Sequence, residues 1–320
     1  MDLGFGLPNG GPLATPETIA QLARRGEELG FSIFAVSDHI IFPADINSRY
    51  PYSPDGSYSN PQNEGGAVLE PLALLGFLAN ATRTAKLLTS VLVVPYRHPV
   101  LAAKLLSTVD VLSNGRVIAG IGTGWMAEEF PPVGAPPFEA RGTVTDEYIA
   151  VYRELWSSAK PNYRGKHIEV GGILFEPKPV QKGGIPIWVG GESAPAMRRA
   201  ARLGDAWYPI GCNPRHPLDT LERFTAGVTT VRQFAEQAKR DPASLKITYW
   251  SVVPGEGKPV MIDGSRMLFT GGAEPVIADI EAFRRLGVTA LLFNFYRGDL
   301  QKTLNAMSWF ASEVLPKVKR

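Results

Sequence analysis

Two short stretches of this chain set reactive groups at the ends of apolar runs. Ser37-Asp38-His39 places a carboxyl beside an imidazole, directly after the apolar residues 32–37. Histidine takes or gives a proton near neutral pH, so such a pair suits acid/base work. The plainer alternative has Asp38 capping a turn and His39 at the surface. Gly190-Gly191-Glu192-Ser193 runs straight into a helical pattern over 194–203. Glycines before a helix leave its first N–H groups and positive dipole end open, a ready phosphate site. A tight turn with Ser193 as cap fits the same residues. Gly122-Thr123-Gly124-Trp125-Met126-Ala127 matches a loose dinucleotide fingerprint, but prolines 131, 132, 136 and 137 spoil the helix it requires. Cys212 is the only cysteine, which excludes an intramolecular disulfide and a Cys-x-x-Cys pair. His39, His98, His167 and His216 lack metal-ligand spacing, so no metal is expected. Neither a Gly-x-Ser-x-Gly elbow nor a Walker sequence occurs.

The elements that must position these groups alternate along all 320 residues. Candidate strands are 2–7, 32–37, 86–94, 116–122, 185–190, 206–210, 246–253 and 289–295, with amphipathic stretches of helical length between them. The first helix illustrates the pattern: Thr15 caps, Pro16 takes the first helical position, Ile19, Leu22 and Ala23 line one face, and Gly30 ends it. Eight strand–helix units point to parallel pairing, in a doubly wound sheet or a closed barrel. The count of eight favours a (β/α)8 TIM barrel, α/β in class, with its site at the C-terminal strand ends. Residues 1–320 read as one barrel domain with insertions near 43–67 and 161–184, both placed at that face. Lys+Arg of 33 against Asp+Glu of 31 gives no basic footprint for nucleic acid. No signal-peptide pattern and no run of about 18 apolar residues is present, so a soluble cytoplasmic protein with no membrane partner is expected.

Specific blocks then break the anonymity. They are Val36 to Ile40, Thr89 to Pro99, Thr108 to Arg116 and Ala119 to Phe130, followed by Arg141-Gly142 with Asp146-Glu147, Pro186 to Ser193 and Gly204 to Trp207. In order and content they resemble the bacterial luciferase-like family of flavin and deazaflavin (β/α)8-barrel oxidoreductases. Among its members the chain is most similar to the group assigned to coenzyme F420, a 5-deazaflavin.

The resemblance implies roles position by position. Asp38 and His39 match an Asp-His pair beside the reactive ring carbon and are the expected catalytic residues. Ser90 and Val91 match a non-prolyl cis peptide bulge behind the ring. Gly190, Gly191, Glu192 and Ser193 match the cofactor-phosphate segment, while Thr123 and Arg141 match further cofactor contacts. Glu192 is an awkward neighbour for an anion and is expected to turn away and pair with a cation. One departure stands out: sugar-phosphate dehydrogenases of the family carry a carboxylate where this chain has Trp125. Trp125, with Glu128 nearby, then lines a substrate pocket for an apolar or aromatic molecule. The resemblance thus implies an F420-dependent oxidoreductase acting on a small-molecule substrate, as a homodimer or larger homo-oligomer. A reduced-FMN monooxygenase and a non-catalytic flavin- or deazaflavin-binding protein are the alternatives.

Overall fold

The computed structural model describes residues 1–59, 65–252 and 256–318. Residues 60–64 of the first insertion and Val253, the end of the seventh predicted strand, lie outside them. The eight barrel strands are β1 (Asp2–Gly6), β2 (Ile33–Val36), β3 (Lys86–Thr89), β4 (Val117–Gly122), β5 (Ile187–Gly190), β6 (Ala206–Tyr208), β7 (Lys246–Ser251) and β8 (Val288–Phe293). Each pairs in parallel with the next, and β8 pairs with β1, so the sheet closes on itself as a (β/α)8 TIM barrel. The helices that follow the strands are α1 (Pro16–Leu29), α2 (Pro71–Ala81), α3 (Pro99–Leu112), α4 (Arg141–Ser157), α5 (Ala194–Leu203), α6 (Leu221–Gln237), α7 (Ala273–Arg285) and α8 (Leu300–Glu313).

Strand periodicity sorts side chains into two cores. Ile33 and Ala35, Trp188, Ala206 and Tyr208, and Ala290 and Leu292 fill the barrel interior. Their neighbours Phe34 and Val36, Ile187 and Val189, Trp207, and Leu291 and Phe293 face the helices in the larger outer core. The first helix begins and ends as its residues predict. Thr15 accepts from the Thr18 N–H, Pro16 opens the helix, and Gly30 closes it at φ 90°.

Three local features differ from the sequence reading. The predicted strand 86–94 is interrupted at Ser90–Val91, a cis non-prolyl peptide. Only Leu92–Val93 resumes pairing, again with β4. The 161–184 insertion contains an antiparallel pair, Tyr163–Arg164 with Glu169–Val170, and because it joins the end of α4 to the start of β5 it connects at the N-terminal strand ends, not at the C-terminal face expected for it. A second small hairpin joins Met261–Ile262 to Ser265–Arg266 after β7. In agreement with the sequence reading, the chain after β4 makes a 3-10 turn, Ala127–Glu129, and not the helix a dinucleotide fingerprint needs. No helix among the described residues is long and apolar enough to cross a membrane.

Candidate active site at the barrel mouth

The alternation that sends Phe34 and Val36 outward and Ile33 and Ala35 inward carries on past β2. It turns Asp38 away from the barrel axis and His39 towards the mouth. Asp38 was expected to touch a cofactor. Instead both its oxygens are taken: Arg97 donates to them at 2.8 Å each, and the Val93 N–H donates to Oδ2 at 2.8 Å. The carboxylate is fully buried. Arg97 also donates to Glu70, whose other oxygen caps α2 through the Ala73 N–H. Asp38 is therefore a positioning residue that pins the chain after β3 to the end of β2.

His39 is buried, with Nδ1 3.0 Å from Oε1 of Glu129. The side chain of Glu129 is 1% exposed and accepts at Oε2 from the Tyr96 hydroxyl at 2.5 Å. Sequence reasoning missed Glu129 and Tyr96 as site residues. Tyr96 lies in the 3-10 turn Val94–Tyr96 and Glu129 in the one after β4, so two neighbouring strand ends converge on the histidine of a third. Glu128, expected in the substrate pocket, keeps a buried Oε2 with no hydrogen-bond partner among the described residues. Its Oε1 accepts the N–H groups of Asn47 and Ser48 and ties down the first insertion.

That insertion brings aromatic rings over the mouth. Phe42 packs on His39 at 4.5 Å between centroids, and Tyr58 lies 6.2 Å from the same ring. Trp125 contacts Tyr50 at 5.0 Å and Tyr58 at 5.2 Å. Burial raises the pKa of both Tyr50 and Tyr52, with Cys212 adding to the first and Glu192 to the second. The loop therefore reaches from the end of β2 to the groups following β5 and β6. The 850 Å³ groove between α1 and α8, edged by Glu17, Arg24 and Gln301, lies on the outer helix ring and shares no residue with this mouth.

The wall of the mouth is built at the bulge. Ser90 Oγ sits 3.0 Å from the Tyr208 hydroxyl, and Val91 packs against the interior cluster. Val91 fits because its neighbours lack side chains. A Cβ on Gly122 would meet Val91 Cγ2 at 2.6 Å, and one on Gly190 would meet Cγ1 at 3.1 Å. Thr123 follows Gly122, half-buried at the end of β4.

On the β5 side, Gly191 adopts φ +107°, and a Cβ there would come within 2.9 Å of the Ala196 Cβ. This glycine cradle opens the first turn of α5. Ser193 occupies the cap position of α5 but makes no side-chain capping bond. Glu192 does turn away from the cradle, but not to a cation. Its oxygens accept from the Ile210 N–H and the Asn213 amide, each at 2.8 Å. Burial pushes its pKa up to about 7, so near neutrality it carries its charge only about half the time. Arg141 opens α4, lies 3.8 Å over the Phe138 ring and donates to the Phe138 carbonyl. Its buried Nε has no hydrogen-bond partner among the described residues. Arg199 of α5 donates to the carbonyl of Gly142, so α4 starts beside α5. No group of three or more potential metal ligands occurs among the described residues.

The comparisons with known proteins fit this architecture. A family model described as luciferase-like monooxygenase matches residues 3–254, and the chain belongs to that family. An uncharacterised protein of Mycobacterium tuberculosis is 30% identical over 297 residues, 93% of this chain and 94% of the relative. An F420-dependent glucose-6-phosphate dehydrogenase of Amycolatopsis mediterranei is 30% identical over 342 aligned positions, 95% of each chain. Among solved structures, an F420-dependent secondary alcohol dehydrogenase superposes with a TM-score of 0.72 at 20% identity, covering 100% of both chains, and shares the fold. The family includes F420-dependent and FMN-dependent oxidoreductases and monooxygenases.

Two outcomes follow from this geometry. Asp38→Ala leaves the Arg97 guanidinium buried beside a void, and stability should drop by about 3–5 kcal/mol in urea unfolding; a loss under 1 kcal/mol would show the pair to be dispensable. For Glu192, the folded protein holds a proton that the unfolded chain releases near 4.5. Its contribution is therefore present at low pH and lost as pH rises from about 4.5 to about 7. Relative to Glu192→Gln, the wild type should lose roughly 3 kcal/mol of stability between pH 4 and pH 8. Parallel stability profiles for the two proteins would contradict the assignment.

Proposed function

We propose that this chain is an F420-dependent oxidoreductase that moves a hydride between a bound deazaflavin and a small apolar or aromatic substrate. The observation that carries the reading is His39, held by a buried carboxylate on the inner side of β2's end, next to the Ser90–Val91 bulge at the end of β3. When bound, the deazaflavin supplies a hydride-carrying ring carbon and little reactivity towards oxygen. The residues present fit such a group at two points. Val91 offers an apolar wall recessed between Gly122 and Gly190, and the Gly191 cradle with the unpartnered Arg141 Nε suits an anionic tail. Support for a deazaflavin over a flavin comes from the F420-dependent dehydrogenase aligned over 95% of this chain.

In this reading His39 exchanges the proton that accompanies hydride transfer to or from a carbonyl or imine. Trp125, Tyr50 and Tyr58 exclude water and offer flat apolar faces to the substrate. With an indole in place of a carboxylate, the pocket offers no second acid at that position and is poorly matched to a sugar phosphate.

Fluorescence-quenching titration with F420 and with FMN tests the cofactor. F420 should bind at least tenfold more tightly, a difference of about 1.4 kcal/mol or more; tight FMN binding without F420 binding would transfer the protein to the flavin monooxygenases. For the chemistry, His39→Ala should keep F420 affinity within a few fold and lower kcat by about 10²-fold. Wild-type turnover in that variant would reduce His39 to a wall of the pocket.

A further inference from the structure

We infer that Glu129 is a positioning residue: with Tyr96 it fixes His39 as the Nδ1–H tautomer, leaving Nε2 as the only ring nitrogen that exchanges a proton at the mouth. The consequence for catalysis rests on the function proposed above; the tautomer itself does not.

The argument is one of donors and acceptors. Tyr96 donates its hydroxyl proton to Oε2 of Glu129, and burial together with the adjoining carboxylates keeps that phenol protonated. With the Tyr96 hydroxyl on Oε2, Oε1 is the oxygen left to accept from a second donor. The second contact of Glu129 is Nδ1 of His39, at 3.0 Å on the other oxygen. In that contact Nδ1 is the donor, as in a carboxyl-oriented imidazole, and Nε2 of the neutral ring holds the lone pair. Phe42, packed at 4.5 Å on the imidazole, opposes rotation that would exchange the two nitrogens. Of the other charges nearby, Asp38 is bound to Arg97, and Glu128 binds the Asn47 and Ser48 N–H groups through Oε1, its buried Oε2 having no partner among the described residues.

This arrangement gives the proton one route. If a bound reduced deazaflavin supplied hydride to a carbonyl carbon, the proton on Nε2 of the imidazolium would pass to the carbonyl oxygen. The products are the alcohol, the oxidised deazaflavin and a neutral Nδ1–H imidazole. Oxidation of an alcohol runs the same exchange backwards. Glu129 keeps its contacts to the Tyr96 hydroxyl and to Nδ1 in both states of the ring.

The test needs no cofactor. Protein labelled with ¹⁵N-histidine is studied by long-range ¹H–¹⁵N correlation above neutral pH, with His39 assigned by its loss in His39→Gln. Nε2 should give a pyridine-type resonance and Nδ1 a pyrrole-type one. In Glu129→Gln the amide can donate as well as accept, so the single-tautomer signature should disappear. F420 affinity in that variant should change by less than threefold while kcat falls at least tenfold. A pyrrole-type Nε2 in the wild type, or an unchanged spectrum in Glu129→Gln, overturns the inference. The wild-type spectrum decides even where the variant does not fold. A correct tautomer in a protein that turns over no F420 upholds the assignment and counts against the proposed function instead.

Discussion

The buried pair between Asp38 and Arg97 is the constraint on which the rest of the mouth depends. It joins the end of β2 to the segment after β3 with two charge-assisted bonds, while Val93 adds a backbone donor. A buried carboxylate is tolerable only when its lone pairs are met, and here they are. With Asp38 fixed outward, the next residue must face inward, which delivers His39. With Arg97 fixed, Tyr96 is set beside Glu129 and the bulge is held against β4. Glu70 extends the same pair to the start of α2. One ion pair thus sets the orientation of the histidine, the carboxylate partner that tunes it and the apolar wall opposite.

Much of this was legible in the residues. Eight apolar runs at strand spacing, punctuated by residues such as Thr15, Pro16 and Gly30, define the barrel units without reference to relatives. Alternation past β2 separates Asp38 from His39, and two glycines before 194–203 mark the cradle. The functional partner of His39 was harder to see. Glu129 stands ninety positions away, in a segment whose prolines disguise it as a loop, and periodicity carries no signal for a contact between strand ends. The bulge at Ser90–Val91 matched the family pattern and no propensity. The hairpin at Met261–Ile262 and Ser265–Arg266 could have been read from Asp263-Gly264, a pair that favours the positive φ both residues adopt.

Two residues changed meaning once their surroundings were known. Glu192 read as a repulsive neighbour for a phosphate, but it is buried, bonded to Ile210 and Asn213, and only about half charged at pH 7. The cradle at Gly191 is therefore less anionic than its sequence implied. Glu128 and Glu129 are adjacent in sequence and opposite in role. The first anchors the insertion that carries Tyr50, Tyr52 and Tyr58; the second holds the histidine beneath it. A single 3-10 turn thus couples the aromatic cover of the mouth to His39.

The most direct measurement of the whole account is a crystal structure grown with F420. If the proposed function holds, the ring should lie against Val91 with Nε2 of His39 towards its reactive carbon, and the phosphate at Gly191 and Ser193 within reach of Arg141. A ring bound elsewhere, or a His39 that meets the cofactor through Nδ1 with Glu129 displaced, would contradict it.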